Sequence, residues 1–219
     1  MTVIAKICGI RTEAALDAAV YGGARYVGLV FVAKSPRNVD LATAAKLAAH
    51  ARGRAHVVAL LVDPDDALVS NVVREVAPDF LQLHGSESLQ RVEDIRRLAD
   101  KPIIKAFGVS EPGDVTAAMA YFAPGYAADI ILFDAKPPKG ATRTGGHGNV
   151  FDWSILQEVP KRFSWMLSGG LTPDDVGEAI RRTGAPMVDV SSGVESAPGV
   201  KDAELIRRFL QAVKTAKQI

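Results

Sequence analysis

Cys8 and Asp134 each stand at the end of a short apolar segment, where a reactive side chain can meet a substrate. The run Ile130–Phe133 leads directly into Asp134. A thiolate can accept a proton, and burial of a carboxyl group favours its neutral form, which can donate one. Lys6 would share one face of an extended strand with Cys8, so its ammonium would lower the thiol pKa. These residues predict acid–base catalysis; a small buried cysteine and a helix-capping or ion-paired aspartate are the alternatives.

Three loop segments offer groups that bind anions. Arg37 follows Pro36, and a guanidinium can hold a carboxylate through two hydrogen bonds, although a solvated loop arginine is an equal alternative. Two glycine-rich segments, 168–170 and 191–193, can bring backbone N–H groups close to phosphate oxygens. Either segment alone is weak evidence for a phosphate site, but the two together predict one. Its expected residues are Gly169, Gly170, Ser192 and Gly193.

Three further polar residues are candidates for a supporting role in the site: Gln82, His84 and Asp189. His84 is equally compatible with a hydrogen-bonded structural role. The four histidines, at positions 50, 56, 84 and 147, lack the spacing of a zinc site, and the chain has a single cysteine. No GxGxxG segment opens a strand–helix unit, and there is no P-loop. We therefore expect neither a metal nor a cofactor.

Apolar segments alternate with helical segments along the whole chain. The expected strands are mostly apolar on both faces, as in parallel strands that are covered on both sides. They are Val3–Cys8, Arg25–Phe31, Ala55–Val62, Asp79–His84, Pro102–Phe107, Asp129–Asp134, Phe163–Ser168 and Met187–Ser191. The expected helices lie near 12–21, 40–52, 65–76, 87–99, 111–121, 152–159, 173–182 and 202–217, with N-cap candidates at Thr12, Asp40 and Thr172.

Eight strand–helix repeats predict an α/β fold, a (β/α)8 TIM barrel with eight parallel strands that forms one domain over residues 1–219. Active sites of such barrels lie at the carboxyl ends of the strands, and the loops after strands seven and eight often bind phosphate. A long Gly/Pro/Lys segment, Ala135–Val150, follows the sixth strand and is expected to serve function. Gly148 in this segment is a further supporting candidate.

The composition excludes several classes of protein. Of 219 residues, 48% are hydrophobic and 23% charged, and the formal net charge is +1. This near balance argues against a nucleic-acid or membrane-surface binder, because neither a basic stripe nor an acidic tail is present. No apolar run reaches the roughly 20 residues of a membrane helix, and the start of the chain lacks signal-peptide zones. We expect a cytoplasmic protein whose oligomeric state the sequence leaves open.

Six short segments occur in order from residue 6 to about residue 202. They are Lys6-Ile7-Cys8-Gly9-Ile10, Ser35-Pro36-Arg37, Leu81-Gln82-Leu83-His84-Gly85, Phe151-Asp152-Trp153, Ser168-Gly169-Gly170-Leu171 and Ser191-Ser192-Gly193-Val194-Glu195. Together they resemble the phosphoribosylanthranilate isomerases of tryptophan biosynthesis. No single segment is specific, but their order and spacing are. One departure is His147, where that family more often has a small hydroxyl residue.

The resemblance implies an Amadori rearrangement of N-(5-phosphoribosyl)anthranilate without a cofactor. Asp134 would be the general acid that opens the ribose ring, and Cys8 the general base that removes the C2 proton. Arg37 would hold the anthranilate carboxylate, and the two glycine-rich loops would hold the phosphate. The implied partners are a phosphorylated small molecule and, as neighbours, other enzymes of the tryptophan pathway.

Other interpretations remain open. The related isomerase of histidine biosynthesis has an aspartate at the first strand end, where this chain has Cys8. Indole-glycerol-phosphate synthase would need a lysine and glutamate set, and ribulose-phosphate epimerases would need metal ligands on the strands. A non-catalytic phosphate sensor on a barrel is the rival of another class, since fold does not prove function. A redox-sensing thiol is disfavoured, because no second cysteine can resolve a sulfenic acid.

Overall fold

Eight parallel strands close into a barrel in which each strand pairs with the next along the chain and β8 pairs with β1. The computed structural model describes residues 2–122, 127–135, 152–157, 159–160 and 162–216. The strands are β1 (Ile4–Cys8), β2 (Tyr26–Val30), β3 (His56–Leu61), β4 (Phe80–Leu83), β5 (Ile103–Val109), β6 (Ile130–Ala135), β7 (Trp165–Leu167) and β8 (Met187–Val190). The expected barrel is confirmed, and each strand lies within two residues of its expected bounds.

Seven α-helices are present in the described part of the chain. They are α1 (Glu13–Gly22), α2 (Leu41–Ala51), α3 (Asp66–Val76), α4 (Leu89–Ala99), α5 (Pro112–Met119), α6 (Val176–Thr183) and α7 (Ala203–Thr215). Side chains of Thr12 and Asp40 accept from the backbone N–H groups of Ala15 and Thr43, which confirms both as N-caps.

The helix expected at 152–159 was wrong, because the structure has only a 3-10 turn over Trp153–Leu156. Trp153 and Leu156 are three residues apart and both buried, which one such turn satisfies. Pro160 follows soon after and disfavours helical backbone in the residue before it.

The prediction that Thr172 is a helix N-cap was also wrong. Its backbone N–H donates to Asp175 Oδ1 at 2.7 Å in a turn, and the helix starts at Val176.

Alternation along the strands divides the core into two layers. One set of side chains points into the barrel, where Tyr26, Val58, Ile104, Leu132 and Met166 pack together. The other set forms the larger apolar layer between the sheet and the helices. Both faces of each strand are therefore covered, which explains why the strands read as continuous apolar runs.

A short antiparallel hairpin follows β8 and reaches back toward the start of the barrel. Its strands are β9 (Glu195–Ala197) and β10 (Val200–Lys201), and they pair Lys201 with Glu195. Gly199 has φ +80°, and a Cβ there would lie 2.3 Å from the carbonyl oxygen of Pro36. A glycine at this turn thus lets the hairpin touch the loop after β2, which carries Arg37.

Among the residues described, no helix has the length and apolar character that crossing a bilayer requires.

Phe209 on α7 is fully buried in the outer apolar layer. We predict that Phe209→Ala lowers the free energy of unfolding by about 3–5 kcal/mol, because it leaves a cavity where the ring was. Urea denaturation measures the change. Leu98→Ala on α4 is the control: its side chain is 45% exposed, so a loss below about 0.5 kcal/mol is expected. Equal losses in the two variants would contradict this account of the core.

Candidate active site

The carboxyl ends of five strands bring the sequence-predicted site residues to one end of the barrel. Cys8 ends β1, and Gln82 and His84 lie at the end of β4. Asp134 is the last residue but one of β6. The glycine turns follow β7 and β8, and Asp189 lies within β8. Cys8, Asp134, Gln82 and Asp189 are all buried side chains that alternate with the outward-facing apolar residues.

Lys6 and Asp189 form an ion pair inside the barrel where β1 meets β8. Lys6 Nζ donates to Asp189 Oδ1 at 2.8 Å, and the lysine side chain is fully buried. Ser168 at the end of β7 donates its hydroxyl to Asp189 Oδ2 at 3.1 Å. Burial alone would lower the pKa of Lys6, but Asp189 and Cys8 outweigh that effect and raise it, so the amine stays protonated.

Cys8 is buried beside this pair, against an apolar wall of Val30 and Leu60. Burial raises the pKa of its thiol, and outweighs the opposing positive charges of Lys6 and Lys201. The lowered thiol pKa expected from the sequence was therefore wrong. Lys6 does favour the thiolate, but its charge is shared with Asp189, whose own negative charge raises the thiol pKa further.

Gly28 on β2 is a site residue that the sequence analysis missed. It pairs with Cys8 across the β1–β2 ladder, and a Cβ there would lie 2.8 Å from Cys8 Sγ. Its carbonyl oxygen also accepts from the N–H groups of Gly9 and Ile10. Glycine at this position therefore makes room for the thiol and fixes the loop behind it. The sequence signal was a single glycine inside an otherwise apolar strand.

Asp134 and His84 are in contact at the opposite side of the barrel mouth. His84 Nε2 lies 3.2 Å from Asp134 Oδ2, and the side-chain amide of Gln82 lies 3.0 Å from His84 Nδ1. With Gln82 donating, as the assigned amide orientation has it, the imidazole presents Nε2–H to the aspartate. Gln82 Oε1 is buried and accepts from no residue that the structure describes. Gln82, His84 and Asp134 thus form a series of polar contacts that ends at the Asp134 carboxyl group.

A second buried ion pair braces the loop that follows His84. Lys105 Nζ lies 2.9 Å from Glu87 Oε2 and also donates to the carbonyl of Gly85. Glu87 in turn accepts from the N–H groups of Asp63 and Gly85. Both side chains are almost fully buried, so this pair fixes the chain just after β4, and with it His84.

Arg37 is no solvated loop residue: it is buried and held by Glu195. Nε and Nη2 donate to the two carboxylate oxygens at 2.7 and 2.8 Å. Lys201 Nζ donates to Glu195 Oε1 at 2.8 Å and to the carbonyl of Ser191 at 2.8 Å. Burial would raise the pKa of Glu195, but the hydrogen bonds and charges of Arg37 and Lys201 outweigh it and hold the pKa below its usual value.

The two glycine turns lie against each other and against the end of β6. Gly169 and Gly170 have φ of +92° and +68°, which favour glycine, and a Cβ on Gly169 would lie 2.4 Å from the N of Ala135. A Cβ on Gly193 would lie 1.9 Å from the carbonyl oxygen of Leu171. Within the described ranges, the N–H groups of Gly169, Gly170, Ser192 and Gly193 have no protein acceptor. The turns can therefore present these donors to an anion.

The supporting candidate Gly148, and His147, where the sequence departs from the family pattern, lie in the segment 136–151, outside the described residues. Among the positions that the structure does describe, no group of three or more His, Cys, Asp or Glu side chains is arranged to hold a metal ion.

Comparison with known proteins decides the family. Residues 5–212 match the family model for N-(5'-phosphoribosyl)anthranilate isomerase. The chain belongs to this family. A curated isomerase of that name from Rhodopseudomonas palustris strain BisA53 is 52% identical over 219 residues, covering 100% of this chain and 99% of the relative. The expected family and an isomerase activity are thus confirmed.

Solved phosphoribosylanthranilate isomerases share the barrel. The Thermotoga maritima enzyme is 34% identical with a TM-score of 0.86, covering 97% of this chain and 99% of that one. Another crystal structure, 32% identical with a TM-score of 0.83 and the same two coverages, holds reduced 1-(o-carboxyphenylamino)-1-deoxyribulose 5-phosphate. That ligand carries a carboxylate and a phosphate, the two anionic groups that the sequence led us to expect of a substrate.

The raised pKa of Cys8 can be measured directly, because the chain has one cysteine. With 13Cβ-labelled cysteine, a single NMR resonance reports the thiol–thiolate equilibrium. We predict a midpoint above the ordinary thiol value of about 8.5, because burial disfavours the thiolate. The same protein unfolded in urea is the control and should titrate at the ordinary value. A folded midpoint equal to or below the unfolded one would contradict the assignment.

Proposed function

We propose that this protein converts N-(5-phosphoribosyl)anthranilate into 1-(2-carboxyphenylamino)-1-deoxyribulose 5-phosphate, with Asp134 as general acid and Cys8 as general base. One observation carries the proposal. A carboxyl group on β6 and a thiol on β1 stand at the same end of the barrel, three strands apart around the closed ring of eight. A small sugar bound between them would meet a proton donor on one side and an acceptor on the other.

The reaction needs one proton given and one taken. Asp134 protonates the ribose ring oxygen, the bond between C1 and that oxygen breaks, and the nitrogen lone pair forms a protonated Schiff base at C1. Cys8 as thiolate then removes the C2 proton, which gives an enolamine. The enolamine tautomerises to the ketone as C1 gains a proton and the C2 hydroxyl group loses one. Each of the three steps moves protons or bonding electrons within the substrate and the two side chains, so no oxidant, reductant or cofactor is required.

The neighbours of Asp134 fix the orientation of the proposed acid. Oδ1 accepts from the N–H of Ala135 at 2.9 Å, and Oδ2 faces His84 Nε2 at 3.2 Å. These contacts hold the carboxyl plane in one orientation. In this proposal His84 and Gln82 position the acid, and neither needs to touch the sugar.

Two anion anchors would place C1 and C2 between the acid and the base. The N–H groups of Gly169, Gly170, Ser192 and Gly193, which have no acceptor among the described residues, would bind the phosphate. The Arg37 guanidinium would bind the anthranilate carboxylate. Asp189 binds Lys6, which lies two residues before the proposed base, and Ser168, which directly precedes the turn at Gly169. It would therefore support both the base and the phosphate site.

Turnover of freshly formed N-(5-phosphoribosyl)anthranilate, followed by loss of anthranilate-type fluorescence, tests the proposal. We expect the wild-type protein to be active and Cys8→Ala and Asp134→Asn each to lower kcat/KM by about 10²–10⁴-fold, the usual contribution of a general acid or base.

Asp129→Asn provides the matched control. This carboxylate lies just before β6, at the opposite end of the strand from Asp134, where it accepts from the N–H of Ile103. Its loss should leave kcat/KM little changed. A folded wild-type protein without turnover would overturn the proposed function. Full activity in both site variants would overturn the residue roles alone.

A further inference from the structure

Arg37, the proposed partner of the substrate carboxylate, is already paired with the carboxylate of Glu195. Glu195 occupies its Nε and Nη2 through two short hydrogen bonds, and only 8% of the arginine side chain is exposed. An Arg–carboxylate pair carries no net charge. Considered alone, the pair would offer a second carboxylate hydrogen bonds but little electrostatic attraction.

Lys201 changes this balance. Its ammonium lies 2.8 Å from Glu195 Oε1, and its side chain is only 2% exposed. The cluster of Arg37, Glu195 and Lys201 therefore holds two cations and one anion. The nearby Lys6–Asp189 pair adds one charge of each sign. Burial lowers the pKa of Lys201, although Glu195 opposes this effect. The protonated amine of Lys201 gives this group of described residues its net positive charge.

The hairpin after β8 builds this arrangement. Lys201 is the register partner of Glu195 across the two short strands, and the N–H of Gly199 at the turn donates to Glu195 Oε2 at 3.2 Å. Lys201 also donates to the carbonyl of Ser191, and the Ser191 hydroxyl donates to the carbonyl of Cys8. The charged cluster is thus connected to the phosphate turn and to the strand of the base.

We propose that Lys201 is a positioning residue of the carboxylate anchor: it fixes Glu195, which orients Arg37, and it offsets the Glu195 charge so that the anchor attracts an aromatic carboxylate. The inference rests on the proposed function and names residues that determine which amine the enzyme accepts. The Arg37 Nη1 group, with no acceptor in the described parts of the chain, remains for the substrate.

Binding of two ligands separates charge balance from a merely structural role. The first is reduced 1-(o-carboxyphenylamino)-1-deoxyribulose 5-phosphate, and the second is its phenylamino analogue, which lacks the carboxylate. Calorimetry gives the ratio of their affinities. Lys201→Met should reduce the preference for the carboxylate-bearing ligand about 10-fold, because affinity for that ligand falls much more than affinity for the analogue.

The double variant Glu195→Gln with Lys201→Met is the sharper test. It restores one net positive charge, because Arg37 is then the only charged member, and the amide oxygen of the introduced glutamine side chain can still accept from the guanidinium. We expect the preference for the carboxylate-bearing ligand to recover most of the loss. If Lys201→Met does not fold, the same comparison runs from Glu195→Gln to the double variant, and the preference should again fall about 10-fold.

An equal weakening of both ligands in Lys201→Met, or a double variant whose preference is no higher than that of Lys201→Met, would show a structural role only and overturn the inference. A wild-type protein that binds the first ligand and prefers it, with an unchanged preference in Lys201→Met, would overturn the inference but not the function. A wild-type protein that binds neither ligand would overturn both.

Discussion

The ion pair of Lys6 and Asp189 lies where the last strand of the barrel meets the first, and the candidate site is arranged around it. Two buried charges are costly unless they are paired and hydrogen-bonded, so this contact constrains the strands that carry it. Lys6 fixes β1 two residues before Cys8, and Asp189 fixes β8 two residues before Ser191. Ser168 joins β7 to the same carboxylate. The proposed base and both glycine turns are therefore positioned by one buried contact.

The charges of the site form an inner pair and an outer cluster, which are connected through Ser191. The inner pair is buried and carries no net charge, and together with the apolar wall of Val30 and Leu60 it leaves Cys8 with a raised pKa. The outer cluster of Arg37, Glu195 and Lys201 is cationic. The cationic cluster suits a substrate that carries anionic groups, whereas the neutral pair lies beside the proposed base. Lys201 links the two systems, because its positive charge also acts to lower the pKa of Cys8.

Much of the fold could be predicted from the sequence, since each strand is an apolar run that the barrel buries on both faces. Asp134 and the glycine turns were placed correctly because active-site residues of such barrels follow strand ends. The partners of charged residues could not be predicted. Asp189 is 183 residues from Lys6, and Glu195 is 158 from Arg37. Only the closed barrel and the hairpin bring these together.

The errors have the same origin. The pKa of Cys8 was expected to fall because its nearest cation in sequence was visible, whereas Asp189 and the apolar wall come from distant strands. The helix at 152–159 was expected from local composition, whereas packing of Trp153 and Leu156 needs only one 3-10 turn. Local pattern thus located the candidate site residues at the strand ends, and tertiary contacts set the pKa of Cys8.

The pH dependence of kcat/KM in the wild-type protein and in Asp189→Asn tests the central claim most directly. The ascending limb of this profile should follow the thiolate form of Cys8, the proposed base. Asp189 raises the pKa of Cys8 and also occupies Lys6, so its neutral replacement leaves the ammonium free to stabilise the thiolate. The account predicts an ascending limb at lower pH in the variant. A limb that stays in place, or moves to higher pH, would contradict it.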